Sequence, residues 1–360
     1  MSPPRFAPLL GAVWRHHLLW PLVTLALLLA LNAAFNASFL RLEWRDGHLY
    51  GSLIDILKSA SPLILVSLGM TLVIATRGID ISVGAVVAIS AAVAAWMIGG
   101  SLVIDNGVAT HVSRFPMWAA IAGALGVAAL CGLWNGLLVS AVGMQPIIAT
   151  LILMVAGRGV AQLITGGQII TVYYAPYFFI GNGYLLGLPF ALFIAAAAFV
   201  ALLWLTRRTA LGLFIQAVGI NPSAAYVAGA PARRITCAVY AFCGVCAGVA
   251  GLVLSSNVKS ADGNNAGMLM ELDAILAVTL GGTALTGGRF SLAGSVIGAL
   301  IIQTLTYAIY SLGVPPEVNL VVKAVVVFAV MLLQSGEFRR TVAAWARRPA
   351  PPRVHTGAPS

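Results

Sequence analysis

Long apolar runs separated by short polar gaps make up nearly the whole chain. A helix of about 20 apolar residues crosses the roughly 30 Å hydrocarbon core of a bilayer. Ten runs approach that length: 18–34, 53–76, 79–98, 118–139, 147–164, 188–205, 235–255, 274–286, 292–312 and 318–333. The pattern predicts an all-α polytopic membrane protein with about ten transmembrane helices. The second and third runs, and the eighth and ninth, are joined by short glycine-rich breaks rather than ordinary loops. The first run resembles a signal-peptide core, with Arg5 and Arg15 before it and small residues after. Nine further runs favour a retained anchor instead. The domains expected are a cytoplasmic N-terminal segment at 1–17, a membrane domain at 18–335 and a basic cytoplasmic tail at 336–360.

Composition agrees. Of 360 residues 60% are hydrophobic and 8% charged, against about 25% charged in soluble globular chains. Mean hydropathy is +0.98. A typical cytosolic enzyme, a disordered chain and a disulfide-built secreted module are excluded. The net charge of +10 does not indicate nucleic acid, because the basic residues sit in gaps between apolar runs and form no stripe among aromatics. There they set orientation. With the N-terminus in the cytoplasm and ten spans threaded, the cytoplasmic parts hold Arg5, Arg15, Arg207, Arg208, Arg233, Arg234, Arg339, Arg340, Arg347, Arg348 and Arg353, against one acid, Glu337. The outer parts hold only Arg41, Arg45, Arg114 and Lys259 as bases. Both termini are therefore expected in the cytoplasm.

Polar residues at membrane depth are costly and mark function. Thr76-Arg77-Gly78-Ile79-Asp80-Ile81-Ser82-Val83-Gly84 interrupts one apolar stretch. Asp80 or Ser82 suits capping of the helix that follows, and Asp80 can pair with Arg77. Such a break is tolerated only where protein buries it or a water-filled path runs by, which makes it a candidate path wall. Gly281-Gly282-Thr283-Ala284-Leu285-Thr286-Gly287-Gly288-Arg289 is a second break. Paired interruptions in two halves point to a substrate site, so a relation between 62–98 and 274–312 is a working hypothesis; close helix packing through glycine is the plainer reading. Thr76, Asp80, Ser82, Asn135, Thr283 and Thr286 are the candidate translocation path, their hydroxyls and amides suiting a neutral solute. Gln162 and Gln303 are further polar residues in the spans, and Arg158 and Lys323 are expected to face protein.

The segment 206–234 carries a different signal. Asn221 suits an N-cap, Pro222 the first helical position and Gly229 the residue past the end. A two-turn helix at 222–228 is expected on the cytoplasmic side, presenting Ala224, Ala225 and Tyr226. An uncharged, well-capped helix outside the membrane suits a docking partner. Cys131, Cys237, Cys243 and Cys246 lie in apolar runs and read as buried packing residues. The chain carries no nucleotide-binding motif, no arrangement of nucleophile and base, and no histidine inside a span. An energy source would have to sit on another chain.

These residues resemble a known family. The stretch from Arg77 to Gly84 is similar to the GIDLSVG signature of bacterial ABC sugar-import permeases of the ribose, xylose and galactose type. Asn221 to Gly229 resembles that family's ATPase-coupling loop, and Glu271-Leu272-Asp273-Ala274 with the Gly281–Gly288 run its later signature block. The likeness extends from about residue 50 to 335. Three stretches resemble the galactofuranose-importing branch: Thr150 through Gly157-Arg158-Gly159 to Ile164, then Asn264-Asn265-Ala266-Gly267, then Pro315-Pro316-Glu317. Arg77 stands where many relatives carry a small residue.

The resemblance implies an inner-membrane permease, not an enzyme, that binds no cofactor itself. Its implied partners are an ATPase with two fused nucleotide-binding halves that uses ATP, a second permease, identical or similar, a periplasmic sugar-binding protein and the surrounding lipid. Gly219, Asn221, Pro222, Ala224, Ala225 and Gly229 are the implied ATPase-coupling residues. The alternatives are a permease for another small solute such as a branched-chain amino acid, or a secondary transporter.

Overall fold

The computed structural model describes residues 18–334 except 37, 46, 106, 107 and 314. The expected segments 1–17 and 336–360 lie outside the described residues. The chain forms two compact units, 1–308 and 309–360.

The first unit opens with α1 (Leu19–Phe35), the strand pair β1 (Glu43–Arg45) and β2 (His48–Tyr50), then α2 (Ser52–Ala75) and α3 (Val83–Ile98). A hairpin of β3 (Gly100–Asp105) and β4 (Val108–Ser113) leads to α4 (Met117–Leu137), which ends in a π-turn at Leu138–Val142, and α5 (Pro146–Thr165). Next come β5 (Ile170–Thr171), α6 (Ala175–Asn182), the hairpin β6 (Tyr184–Leu185) and β7 (Leu188–Pro189), and α7 (Phe190–Arg208). Then follow α8 (Leu211–Ile220), α9 (Pro222–Val227), α10 (Ala232–Val258), β8 (Ser260–Ala261), α11 (Met270–Leu280) and α12 (Leu292–Ser311). The end of α12 and α13 (Pro316–Gln334) belong to the second unit.

The fold is mostly helical, and each of the ten apolar runs carries a helix. Among the described residues, six helices are long and apolar enough to cross a membrane: α2, α4 with its π-turn, α5, α7, α10 and α12. Three expectations need correction. The all-α reading missed four two-stranded antiparallel pairs, one of which joins β5 to β8; strands of two to six residues are too short for their alternation to stand out. The eighth run, expected at 274–286, is helical only over Met270–Leu280. It starts early because Glu271 and Asp273 favour a helix's positive first turn, and it stops where Gly282 turns left-handed at φ 88°. Two helices, α6 and α8, escaped the apolar pattern altogether.

The core centres on α10, which packs against α4, α2 and α3. Glycines make this approach possible. A Cβ on Gly132 of α4 would meet the Cα atoms of Ala241 and Gly244 on α10 at 3.0 and 3.1 Å, and one on Gly136 the Cα of Cys237 at 2.9 Å. This is small-residue helix packing of the membrane kind, where close backbone contact replaces the hydrophobic drive available in water. The cysteines are all free; Cys243 and Cys246 are buried in the core while Cys131 and Cys237 are half-buried. Every residue of α2 from Ala60 to Ala75 is buried, and most of α3 is too. By contrast, α5 exposes Leu151, Ile152, Val155, Val160 and Leu163, an apolar face suited to lipid.

Gly132→Leu forces a branched side chain into backbone. It is expected to lower the stability of the detergent-solubilised protein by about 1–3 kcal/mol, read as a fall in thermal unfolding temperature. Gly126 has open space beside it and alanine is the better helix former by about 1 kcal/mol, so Gly126→Ala should hold or slightly raise that temperature.

Candidate functional site

The break between α2 and α3 is built first by the way α2 ends. Gly78 N–H donates to the Val73 carbonyl at 2.9 Å and Arg77 N–H to Ile74 at 2.9 Å. This is the Schellman pair of bonds, which satisfies carbonyls the helix would otherwise leave open. It puts Arg77 in the left-handed region at φ 63°, where a residue with a Cβ costs roughly 1–2 kcal/mol. The break at the end of α11 closes in the same way. Thr283 N–H donates to Val278 at 3.2 Å and Gly282 N–H to Thr279 at 2.9 Å.

Beyond Arg77 the chain enters a buried polar cluster. One oxygen of Asp80 accepts from the Ser82 N–H at 3.0 Å, from the Ser82 hydroxyl at 2.6 Å and from the Asn135 amide at 3.4 Å. The same Asn135 amide lies 2.8 Å from the Ser82 hydroxyl. Thr150 of α5 accepts from Ile81 N–H at 3.3 Å, and the Tyr240 hydroxyl of α10 donates to the Ile79 carbonyl at 3.5 Å. Side chains of α4, α5 and α10 thus hold the irregular backbone, as a buried break requires. Asp80, Ser82, Asn135 and Thr150 are buried, and Asn135 Oδ1 has no hydrogen-bond partner.

Arg77 and Asp80 do not pair, contrary to one expectation. Asp80 folds back onto Ser82, whereas the Arg77 guanidinium reaches away from it. Its Nη2 donates to the Ile220 carbonyl at 2.6 Å and its Nε to the Thr286 carbonyl at 3.1 Å. Three segments meet there: the end of α2, the end of α8 and the second break. Gly288 N–H donates to the Ala75 carbonyl at 2.8 Å. Gly219 packs so tightly that a Cβ would overlap that same carbonyl.

Of the expected path residues, Asp80, Ser82 and Asn135 therefore form one cluster. Thr76 and Thr283 are buried, but their hydroxyls serve the chain itself: Thr76 donates to Val73 at 2.9 Å and Thr283 accepts from Ser291 N–H at 3.3 Å. Thr286 is exposed and contributes its carbonyl to Arg77. Arg158 faces protein as expected, donating to the Ala266 carbonyl at 2.5 Å. Lys323 lies on α13 in the second unit.

The coupling segment folds as a capped helix, α9. Asn221 Oδ1 accepts from Ser223 and Ala224 N–H, both at 3.1 Å. Gly229 is left-handed at φ 88°, and Ala230 N–H closes the end onto Ala225 at 2.9 Å. The presented face differs from expectation. Ala225 turns inward, 5% exposed, while Tyr226 and Val227 stand out at 71% and 87%. A helix this short buries one side on its own bundle, so neighbouring residues cannot all face out. Pro222, Tyr226, Val227, Arg233 and Arg234 line an open groove of about 710 Å³ beside it.

Sequence reasoning missed a smaller polar cavity of about 300 Å³ at the other end of α2, the low end of the roughly 300–1,000 Å³ range for small-molecule sites. Ser59 and Pro62 of α2, Asn265 and Met268 of the loop before α11, Asp273 of α11 and Gln303 of α12 line it. Gln303 and Asp273 had been noted singly; the signal that would have joined them is a polar position on each of several apolar helices. Nearby Asp262 accepts from Asn264 and Asn265 N–H and from the Asn265 amide. Partial burial pulls its carboxyl up. These hydrogen bonds and the Arg158 charge outweigh that and hold it below the ordinary carboxylate range. Its contribution to loop stability is present above its unfolded value and is lost as pH falls through the lowered folded one.

Residues 52–331 match the family model described as branched-chain amino acid transport system / permease component. The chain belongs to that family of membrane permeases, which are transport components and not enzymes. It is 49% identical over 324 residues to the galactofuranose transporter permease protein YtfT of Escherichia coli K12, covering 89% of this chain and 91% of that one. It is 38% identical to the fructose import permease protein FruF of Bifidobacterium longum over 340 residues, 93% and 92% of the two chains. It is also 38% identical to the ribose import permease protein RbsC of Bacillus subtilis over 317 residues, 88% and 92% of the two. No solved structure matches it.

Asn135→Leu keeps the branched outline but removes the amide that donates to Asp80 and Ser82. It is expected to destabilise the protein by about 1–3 kcal/mol. Thermal unfolding in detergent measures this, and Gln162→Leu, on α5 away from the cluster, serves as the comparison.

Proposed function

We propose that this chain forms the membrane path of an ATP-driven sugar importer in a bacterial inner membrane. The carrying observation is its likeness, along nearly its full length, to permeases named for galactofuranose, fructose and ribose. Its membrane partners are a second permease, identical or similar, and the surrounding lipid. A periplasmic binding protein delivers the sugar and an ATPase with two fused nucleotide-binding halves drives the cycle with ATP; this chain binds no cofactor.

Ten helices cross or enter the bilayer, α1 to α5, α7 and α10 to α13, with both termini in the cytoplasm. The two shortest cannot cross alone: α3 with 16 residues is about 24 Å long and α11 with 11 about 16 Å. These are broken helices, each beside a glycine-rich interruption, in the manner of transporters whose sites lie at repeat interfaces. The matching helix ends at 76–78 and 281–283 support relating the two halves.

Asp80, Ser82 and Asn135 act on the path from behind its wall, holding the first break's shape; Thr76, Thr283 and Thr286 belong to the inner gate. On the outer side, the cavity between Ser59, Asn265, Asp273 and Gln303 receives the sugar. A carboxylate and amides there match the paired donors and acceptors of neighbouring hydroxyls. Galactofuranose or a similar pentose or hexose is the substrate. On the inner side α9, with Gly219, Asn221, Pro222, Ala224, Ala225 and Gly229, takes the ATPase. Asn221, Pro222 and Gly229 shape the helix, Gly219 and Ala225 seat it, and Ala224 joins Tyr226 and Val227 on the outward face.

A branched-chain amino acid is the second substrate reading, favoured by the description of the matching family model. A zwitterion would compete with sugar for uptake if that reading held.

Two outcomes are expected of proteoliposomes carrying this permease with its partners. Sugar uptake requires ATP inside, and uptake without ATP would overturn the importer reading. Asp80→Ala inserts into the membrane normally but takes up sugar several-fold more slowly; wild-type uptake removes Asp80 from the path. In a separate pull-down, Ala224→Trp is expected to lose the copurifying ATPase.

A further inference from the structure

Arg77 is an exposed arginine held where glycine would be easier. Its backbone is left-handed at φ 63°, and its side chain bonds two main-chain carbonyls from distant parts of the chain. Ile220 is the last residue of α8, so its carbonyl is one that the helix leaves open, at the negative end of the helix dipole. A guanidinium there is well matched. Its fork of donors lets one side chain serve both Ile220 and Thr286, which a lysine's single ammonium does less well.

The neighbouring backbone is cut to fit this side chain. Gly287 is left-handed, and a Cβ on it would lie 2.5 Å from Arg77 Cγ and 3.0 Å from Arg77 N. A Cβ on Gly288 would lie 3.1 Å from Ile220 Cγ1. Gly288 N–H also bonds Ala75, two residues before Arg77. Asn221, next after Ile220, is the N-cap of α9. One side chain therefore touches the start of the first break, the second break and the peptide leading directly into α9.

We propose that Arg77 is the positioning residue through which a displacement of α9 reaches both breaks. The inference rests on the reading that α9 is where the ATPase docks. In its absence α8 and the breaks would keep the packing of Gly219, Ile220 and Gly288 on one another and on Ala75. No side chain would then bond the Ile220 and Thr286 carbonyls together, and α9 could shift with less pull on the second break. The residue touches no substrate; it acts by keeping three segments moving as one.

Two substitutions separate the side chain from the backbone. Arg77→Gly suits the left-handed turn and removes the guanidinium. Arg77→Lys keeps a charge and a single donor group but not the fork. Both are measured in the full importer complex in proteoliposomes, as sugar moved per ATP hydrolysed. Arg77→Gly is expected to assemble with the ATPase and hydrolyse ATP, yet to move at least about 5-fold less sugar per ATP, the lower end of typical coupling between sites. Arg77→Lys is expected to fall between it and the wild type. A wild-type ratio in Arg77→Gly overturns the proposal. So does a parallel loss of assembly, hydrolysis and uptake, which marks a merely structural residue. Failure of the docking reading looks different: Ala224→Trp, on the outward face of α9, would then still copurify the ATPase.

Discussion

Buried backbone N–H and C=O groups must find partners in the protein, and the two interruptions of this fold are where that demand is hardest to meet. The chain answers it twice with the same device, a pair of bonds that turns the last residues of a helix back on itself. At α2 the left-handed position is filled by Arg77 and at α11 by Gly282. Everything nearby follows from these closures. Asn135, Thr150 and Tyr240 reach in from three helices to hold what lies past the first, and Thr283 caps forward onto Ser291 past the second.

The placement of α2 and α3 explains why the first interruption sits at the centre. Both are buried nearly throughout, while α5 and α7 keep apolar faces outward. A break in an outer helix would open backbone to lipid. In the inner pair it opens backbone only to other helices, where hydroxyls and amides are available. The small polar cavity lined by Ser59, Asp273 and Gln303 lies along the same α2, so the element that carries the break also forms part of that recess.

The helices were legible because lipid demands length and apolarity together, and few residues in a soluble chain satisfy both. The family was legible because Gly78, Asp80, Ser82 and Gly84 stand in a row where apolar residues are the rule. The caps of α9 could be read from Asn221, Pro222 and Gly229, since capping depends on local residues. What depended on distant contacts was hidden. Nothing near Arg77 announces Ile220 or Thr286 as its partners, 143 and 209 residues away. Charge suggested Asp80 instead, three positions on, and local charge was the wrong guide because a turn intervenes. Which of Ala224 and Ala225 faces out is likewise set by what α9 rests against.

The seam between α4 and α10 has a mechanical meaning. With glycine at 132, 136 and 244, main chain lies directly on main chain, and few side-chain rotamers lie between the two helices to absorb load. Such a joint is stiff in compression and cannot creep by small repacking steps. Any stroke delivered at the foot of α10 must displace α4 as a whole, making the pair a rigid beam against which softer parts of the molecule flex.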